Sequence, residues 1–282
     1  MATLLPPIQK RPWMTWLSCA ACVVVFIGIH TRSSGDEAEA LMNWGWQPPD
    51  RIYEGAYWAL LSSVFVHVEF WHLGFNLYWL YHLGQRLEQA IGSMRWLAFF
   101  LGAALVSSSA ELAMGGNTGI GASGVGYALF GLMWILRKHV PAFAEILDQR
   151  TVIIFLIWLV ACVAMTAADF FAVGNAAHFS GLLFGTAVAA WIPDKPQRPL
   201  ISMAIVLLVG ASVASLIWAP WSMGWTSWRA LKAHKDGDYT GAIRWYERSM
   251  KQGQDKKWCE ENIQLAREAI EYDRLHHREK AR

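Results

Sequence analysis

The feature of this sequence that most limits its possible folds is a series of long apolar segments. A helix needs about 20 mostly apolar residues to cross a bilayer. The segments lie near residues 13–30, 71–90, 95–114, 123–136, 151–168, 175–192 and 199–221. Because 55% of the 282 residues are hydrophobic and only 16% are charged, the composition also disfavours a soluble globule. The sequence therefore predicts an all-α polytopic membrane protein.

The basic residues between these segments predict how the chain crosses the membrane. If the N-terminal segment, residues 1–12, is cytoplasmic, the loops on its side are much richer in Lys and Arg than the opposite loops, as cytoplasmic loops usually are. The basic residues on that side are Lys10, Arg11, Arg86, Arg95, Arg137, Lys138, Arg150, Lys195 and Arg198, and those opposite are Arg32 and Arg51. Spans two, four and six then all begin in the outer leaflet.

Those three spans carry polar residues near their outer ends, where an unpaired polar group is costly. They are His72 and Asn76 in span two, Ser123 at the start of span four, and His178 near the start of span six. The shared depth predicts a common cavity that water can reach. His72 and Asn76 lie four residues apart and share one helix face. Both can donate hydrogen bonds to one oxyanion; alternatively, Asn76 only ties span two to a neighbour.

Ser123 follows a glycine-rich stretch, residues 115–122, that cannot form a regular helix. Span four covers only about 21 Å at 1.5 Å per residue, against a hydrocarbon core of about 30 Å. Irregular backbone at membrane depth is tolerated only where it is buried in protein or lines a wet cavity. A serine at a helix start is either an ordinary cap or a nucleophile beside N–H groups that stabilise an oxyanion.

A serine hydroxyl becomes a useful nucleophile when a base accepts its proton, and neutral histidine is the usual base near pH 7. His178 is the candidate, because the small residues Gly181 and Gly185 on its segment permit close approach to another helix. We expect that helix to be the one that carries Ser123. The alternative for His178 is a packed histidine with a structural hydrogen bond.

The motifs around these residues resemble those of the rhomboid protease family, in the same order. They are His72-x-x-x-Asn76 in span two, Gly121-Ala122-Ser123-Gly124 before span four, and Ala177-His178-x-x-Gly181-x-x-x-Gly185 in span six. The resemblance extends from about Tyr57 to Trp191. It implies a six-helix membrane domain at residues 13–198 and an additional transmembrane helix at 199–221. In one departure, Ala59 follows Trp58 where the family often has a Trp-Arg pair in its first outer loop.

The resemblance implies an intramembrane serine endopeptidase with a Ser–His dyad, no third acidic member, no metal and no cofactor. Ser123 would be the nucleophile and His178 the base, while His72, Asn76 and the Ser123 N–H would bind the oxyanion. The supporting residues would be Gly121, Gly124, Gly181 and Gly185 near the dyad, Tyr127 packed on the histidine, and Glu88 near the cytoplasmic end of span two. The substrates would be transmembrane proteins that reach the site sideways from the bilayer.

The last part of the chain, residues 224–282, returns to a charged composition and is expected to be a soluble helical tail. Trp228-x-x-Leu231 and Ala242-Ile243-x-x-Tyr246 resemble one tetratricopeptide repeat. A single repeat buries little apolar surface, and about three are normally needed for stability. The tail is therefore either a small unit that binds a protein partner or a plain helical hairpin. With seven spans it lies on the outer side of the membrane.

Two other functions are alternatives to the protease. A catalytically silent relative that binds membrane clients typically lacks the serine or the histidine, and this chain has both. A small transporter needs internal repeats and paired broken helices, which the sequence does not show. The net charge of +2 and the absence of a basic stripe exclude nucleic acid as a partner. The short N-terminal segment favours a bacterial inner membrane.

Overall fold

A computed structural model of the chain describes residues 11–32, 36–192 and 197–280, which form helices and no strand. The helices of the membrane domain are α1 (Trp13–Arg32), α2 (Glu37–Asn43), α3 (Pro49–Tyr53), α4 (Ala59–Ser62), α5 (Phe70–Ile91), α6 (Ser93–Gly115), α7 (Ser123–Leu136), α8 (Pro141–Ile146), α9 (Gln149–Ala167), α10 (Asn175–Trp191) and α11 (Arg198–Ala214). The tail contains α12 (Met223–Lys235), α13 (Tyr239–Lys251) and α14 (Lys256–Lys280). The all-α prediction is confirmed. Residues 1–10 of the predicted cytoplasmic segment, and Lys195, lie outside the described residues.

All seven predicted spans become helices, and one of them is shorter than predicted. Helix α11 ends at Ala214, whereas the predicted span continues to residue 221. Turns at residues 215–217 and 220–221 follow instead. Ala219 between them is fully buried against the tail and the first outer loop, which joins α1 to α5. Pro220 follows directly and cannot donate the backbone hydrogen bond that a helix requires. That α11 crosses the membrane stays a prediction.

Three of the described helices are long and apolar enough to cross a membrane, namely Trp13–Thr31, Ser93–Gly115 and Gln149–Ala167. Helices α7 and α11 are apolar but shorter. Helices α5 and α10 are in neither group, and both carry residues of the candidate site, His72 and Asn76 on α5 and His178 on α10.

Helix α7 lies at the centre of the membrane domain. Its residues from Gly124 to Met133 are all buried, and it packs against α10, α5 and α6. A helix enclosed by protein exposes no backbone to lipid, so its 14 residues need not match the bilayer thickness. We call the end of the bundle that holds the start of α7, the start of α5 and the end of α6 the outer end, following the predicted orientation.

Glu88 joins three helices at the opposite end of the bundle. Its carboxylate accepts hydrogen bonds from the Met14 and Thr15 backbone N–H groups at 3.0 and 2.8 Å. It also accepts from the hydroxyls of Thr15 at 2.8 Å and Ser93 at 2.6 Å. The side chain is fully buried, and a carboxylate is favourable at a helix N-terminus. Glu88, a residue of α5, thus caps the N-terminus of α1 and holds the start of α6.

Replacing Glu88 with alanine is expected to destabilise the folded protein by about 3 kcal/mol or more, because several buried donors lose their acceptor at once. Thermal unfolding in detergent measures this loss as a lower midpoint. The Glu145→Ala variant, which removes an exposed acid from α8, is the control and should unfold like the wild type. Equal midpoints for the two variants would contradict the role given to Glu88.

The tail is a compact helical unit. The Ser227 and Ser249 hydroxyls lie 2.6 Å apart, and the Thr226 hydroxyl donates to Gln252 Oε1 at 2.6 Å. The start of α12 therefore lies beside the end of α13, and the two helices run antiparallel. Tyr246 is fully buried inside this unit. The tetratricopeptide resemblance and a protein partner for the tail stay predictions.

Candidate active site

The loop that precedes Ser123 is shaped by glycines. Gly116, Gly119 and Gly121 have φ angles of +84°, +66° and +96°, a region that other residues rarely adopt. This conformation prevents α6 from continuing into α7 and makes Ser123 the first residue of α7. The first N–H groups of a helix have no acceptor within it. The loop therefore presents the Ser123 hydroxyl beside a set of free donors.

Helices α7 and α10 touch through glycine. A Cβ added at Gly181 would overlap the carbonyl oxygen of Gly124, and a Cβ at Gly185 would overlap that of Ala128. Small residues let two helix backbones approach this closely. The approach brings His178 Nε2 to 2.8 Å from Ser123 Oγ, which is hydrogen-bond distance. Gly181 and Gly185 thus lie between the two helices.

The surroundings of His178 leave one ring nitrogen without an acceptor. The side chain is 3% exposed, and within the described chain its Nδ1 is buried with no hydrogen-bond partner. The Tyr127 ring packs on the imidazole, with 4.7 Å between ring centroids. The Tyr127 hydroxyl donates to the Phe155 carbonyl at 3.1 Å, which ties the tyrosine to α9. Packing against Tyr127 and the contact with Ser123 therefore hold this histidine in place.

His72 and Asn76 lie beside the glycine loop. A Cβ added at Gly121 would stand 2.7 Å from His72 Nε2 and 3.4 Å from Asn76 Nδ2. Asn76 also donates to the His72 carbonyl at 3.0 Å, within its own helix. The two side chains therefore lie beside the loop that leads to Ser123. His67 is buried beside this pair, with its ring centroid 4.9 Å from that of His72.

These side chains line one large cavity of about 1130 Å³ at the outer end of the bundle. Its walls come from α5, α6, α7, α9 and α10, from the glycine loop before Ser123, and from the first outer loop between α1 and α5. The polar side chains that face it include His72, Asn76, Ser123, His178, Ser107 and Glu111. These polar groups lie in an otherwise largely apolar wall and offer hydrogen-bond partners to water. Ser123 and the neighbouring donors thus share one accessible space.

Glu111 is a cavity residue that the sequence analysis missed. Its Oε2 accepts the Ala177 backbone N–H at 3.0 Å, in the first turn of α10. The N-cap residue of α10, Gly174, offers no side-chain acceptor, so a carboxylate from α6 takes its place. The available signal was a lone acid inside an apolar segment, which marks a functional site by default. Glu111 thereby holds the turn that carries His178.

Comparison with known proteins identifies relatives of this chain. The family model for the rhomboid domain matches residues 54–195, about half of the chain. The rhomboid protease GlpG of Salmonella typhi and that of Salmonella paratyphi A (strain ATCC 9150 / SARB42) are each 32% identical over 178 residues. The match covers 62% of this chain and 62% of each relative. The chain thus spans less than two thirds of the relatives' length.

Proposed function

This chain belongs to the rhomboid family, and from that premise we propose that it is an intramembrane serine endopeptidase. We further propose a dyad of Ser123 as nucleophile and His178 as general base. The observation that carries the proposal is the 2.8 Å contact between Ser123 Oγ and His178 Nε2 inside the cavity that His72 and Asn76 also line. The family and the apolar helices make the chain an integral membrane protein. Its place in a bacterial inner membrane, with a cytoplasmic N-terminus, is part of the proposal.

The proposed reaction follows from the positions of these groups. His178 Nε2 accepts the Ser123 proton while Oγ attacks the peptide carbonyl carbon of the substrate. The developing oxyanion is stabilised by His72, Asn76 and the Ser123 backbone N–H. The protonated imidazole then gives its proton to the leaving amine, and an acyl-enzyme remains. Water in the cavity, activated by His178, hydrolyses this ester and restores the hydroxyl.

A route for substrate is suggested by the seam between α5 and α9. Aromatic rings rather than close backbone contacts close this seam. The ring pairs are Phe75 with Trp158 at 5.3 Å, Trp79 with Phe155 at 4.5 Å, and Trp71 with Phe171 of the following loop at 5.7 Å. Rings can turn aside without unfolding a helix. A transmembrane segment would therefore reach Ser123 sideways, between these two helices, and helix-destabilising residues would help it extend there.

Removing rings from the seam is expected to speed cleavage if opening limits the rate. An aromatic pair contributes about 0.5–1.5 kcal/mol, so the Phe75→Ala, Trp158→Ala variant should open about 2- to 10-fold more often. Initial rates on a transmembrane substrate in liposomes measure the change. Ile157→Ala, which truncates an exposed residue of α9, is the control. A slower double variant with intact folding would argue against this route.

Glu111 is expected to support the cleavage rate by accepting a hydrogen bond from the α10 backbone. Glu111→Leu leaves the Ala177 N–H without its partner, which costs about 1–3 kcal/mol for a buried donor. We expect cleavage to fall about tenfold as the turn that carries His178 loosens. Glu111→Gln keeps an acceptor oxygen and should retain most activity, and Glu69→Gln, at an exposed acid of the same cavity, should retain all of it. A leucine variant as active as the glutamine variant would contradict this role.

The proposed activity is tested with purified protein in liposomes. The wild type should cleave a model transmembrane substrate and should be labelled at Ser123 by a fluorophosphonate probe. A silent client-binding protein would retain the substrate without cleaving it and would not react with the probe. Mass spectrometry of the labelled peptide identifies the modified serine. Binding without labelling or cleavage would therefore favour the silent alternative over the protease.

A further inference from the structure

The first helix of the tail, α12, packs against two elements that border the catalytic cavity. A Cβ added at Gly224 would overlap the carbonyl oxygen of Gly116 and would stand 3.1 Å from Pro49 Cβ. Gly116 is the first residue of the loop that leads to Ser123, and Pro49 begins α3 in the first outer loop. Gly224 therefore lies between residues 116–122, which we call the nucleophile loop, and the first outer loop. Both contacts are so close that only glycine fits at this position.

A buried hydrogen bond fixes this contact. The Ser222 hydroxyl donates to the Leu112 carbonyl at 3.0 Å, and Ser222 is fully buried. Leu112 lies in the last turn of α6, where carbonyl groups have no N–H donor within the helix. Ser222 therefore satisfies one of these carbonyls and joins the start of α12 to the end of α6. The next residue toward the N-terminus is Glu111, which faces the cavity.

The tail also packs against the first outer loop. The rings of Tyr53 and Trp228 lie 5.4 Å apart, and Trp225 shares a buried cluster with Tyr53, Ala59 and Leu60. Ala59 is fully buried in this cluster. In this chain, apolar contacts with the tail thus hold the loop at that position.

The first outer loop in turn holds the far end of the nucleophile loop. The short helical turn Ser63–Phe65 follows α4 directly, and the Ser63 carbonyl accepts the Gly121 N–H at 3.1 Å. The loop of residues 116–122 is therefore fixed at both ends. Gly116 contacts α12 itself, and Gly121 contacts a segment that α12 braces.

We propose that residues 222–228, which we call the tail brace, position the nucleophile loop of this enzyme. The partner surface for the tail is then the membrane domain of its own chain. The residues of the tail brace touch no substrate and act through residues 116–122, so their role is one of positioning. This inference rests on the proposed protease function for its kinetic test, but the order of the loop can be measured separately.

The experiment uses the full chain in liposomes and compares two glycine substitutions. Gly224→Ala forces α12 away from Gly116. Gly237→Ala is the control, because Gly237 has a φ of +81° in the turn between α12 and α13 and no atom within 4 Å of its added Cβ. It strains the tail without touching the membrane domain. If Gly224→Ala does not fold, Trp228→Leu weakens the contact with Tyr53 more gently.

We expect Gly224→Ala to lower the rate of fluorophosphonate labelling and kcat in the same ratio, about tenfold, with KM unchanged. Amide hydrogen exchange in residues 116–122 should become faster. The Gly237→Ala variant should match the wild type in all three measurements. If folded Gly224→Ala and Trp228→Leu both had the labelling rate, kcat and amide exchange of the wild type, the tail brace would be overturned. An inactive wild type would instead contradict the protease, and the exchange data would still decide the tail brace.

Discussion

Ser123→Ala and His178→Ala are each expected to lower the cleavage of a transmembrane substrate by about 10⁴-fold or more, as loss of a nucleophile or its base does in serine proteases. Without Oγ no acyl-enzyme forms, and without Nε2 the hydroxyl keeps its proton. Initial rates in liposomes measure the loss. The probe should fail to label Ser123→Ala and should label His178→Ala very slowly.

The double variant and a neighbouring serine supply the controls. Because the two groups act as one unit, Ser123→Ala with His178→Ala should be no worse than either single variant. Ser180→Ala removes a hydroxyl of α10 that donates to the Ala177 carbonyl at 3.3 Å and should remain active. Unchanged cleavage in either dyad variant would remove the proposed mechanism, even if the protein remained a protease.

Gly181→Val is expected to lower cleavage about 100-fold while every polar residue of the site remains. The added side chain meets the Gly124 backbone, so α10 must move away from α7 and the imidazole moves away from the hydroxyl. A misplacement of about 1 Å at a reacting group costs on the order of 100-fold in rate. Labelling of Ser123 by the probe should fall in parallel, since it depends on the same base.

Gly74→Val is the matched control for that substitution. Gly74 is a helix residue of α5, and its added Cβ would have no atom within 4 Å. Both variants place a β-branched residue in a helix, but only Gly181→Val crowds another backbone. Thermal unfolding should show that overpacking makes Gly181→Val less stable by about 1–3 kcal/mol. Cleavage by Gly181→Val at the rate of Gly74→Val would show that close approach of the two helices is not needed.

The fold and the candidate residues followed largely from local patterns. Apolar length predicts the helices because a bilayer requires hydrogen-bonded backbone over a fixed thickness. The glycines before Ser123 predict the broken segment, since they favour a backbone that no helix uses. These properties belong to each segment alone. The C-terminal end of α11 does not follow from the apolar pattern, which continues to residue 221, although Pro220 is a local signal against a helix there.

The contacts between segments could not be predicted in the same way. Glu111 and Ala177 are 66 positions apart, and Ser222 and Leu112 are 110 positions apart. No local spacing indicates that a tail helix would lie against the nucleophile loop. Local patterns, together with the resemblance, predicted a helical membrane bundle with a serine and a histidine at one depth. Only the packing of α6 and α10 against α7, and of α12 against α6 and α3, decided which side chains meet, because hydrogen bonds and van der Waals contacts act over a few ångströms.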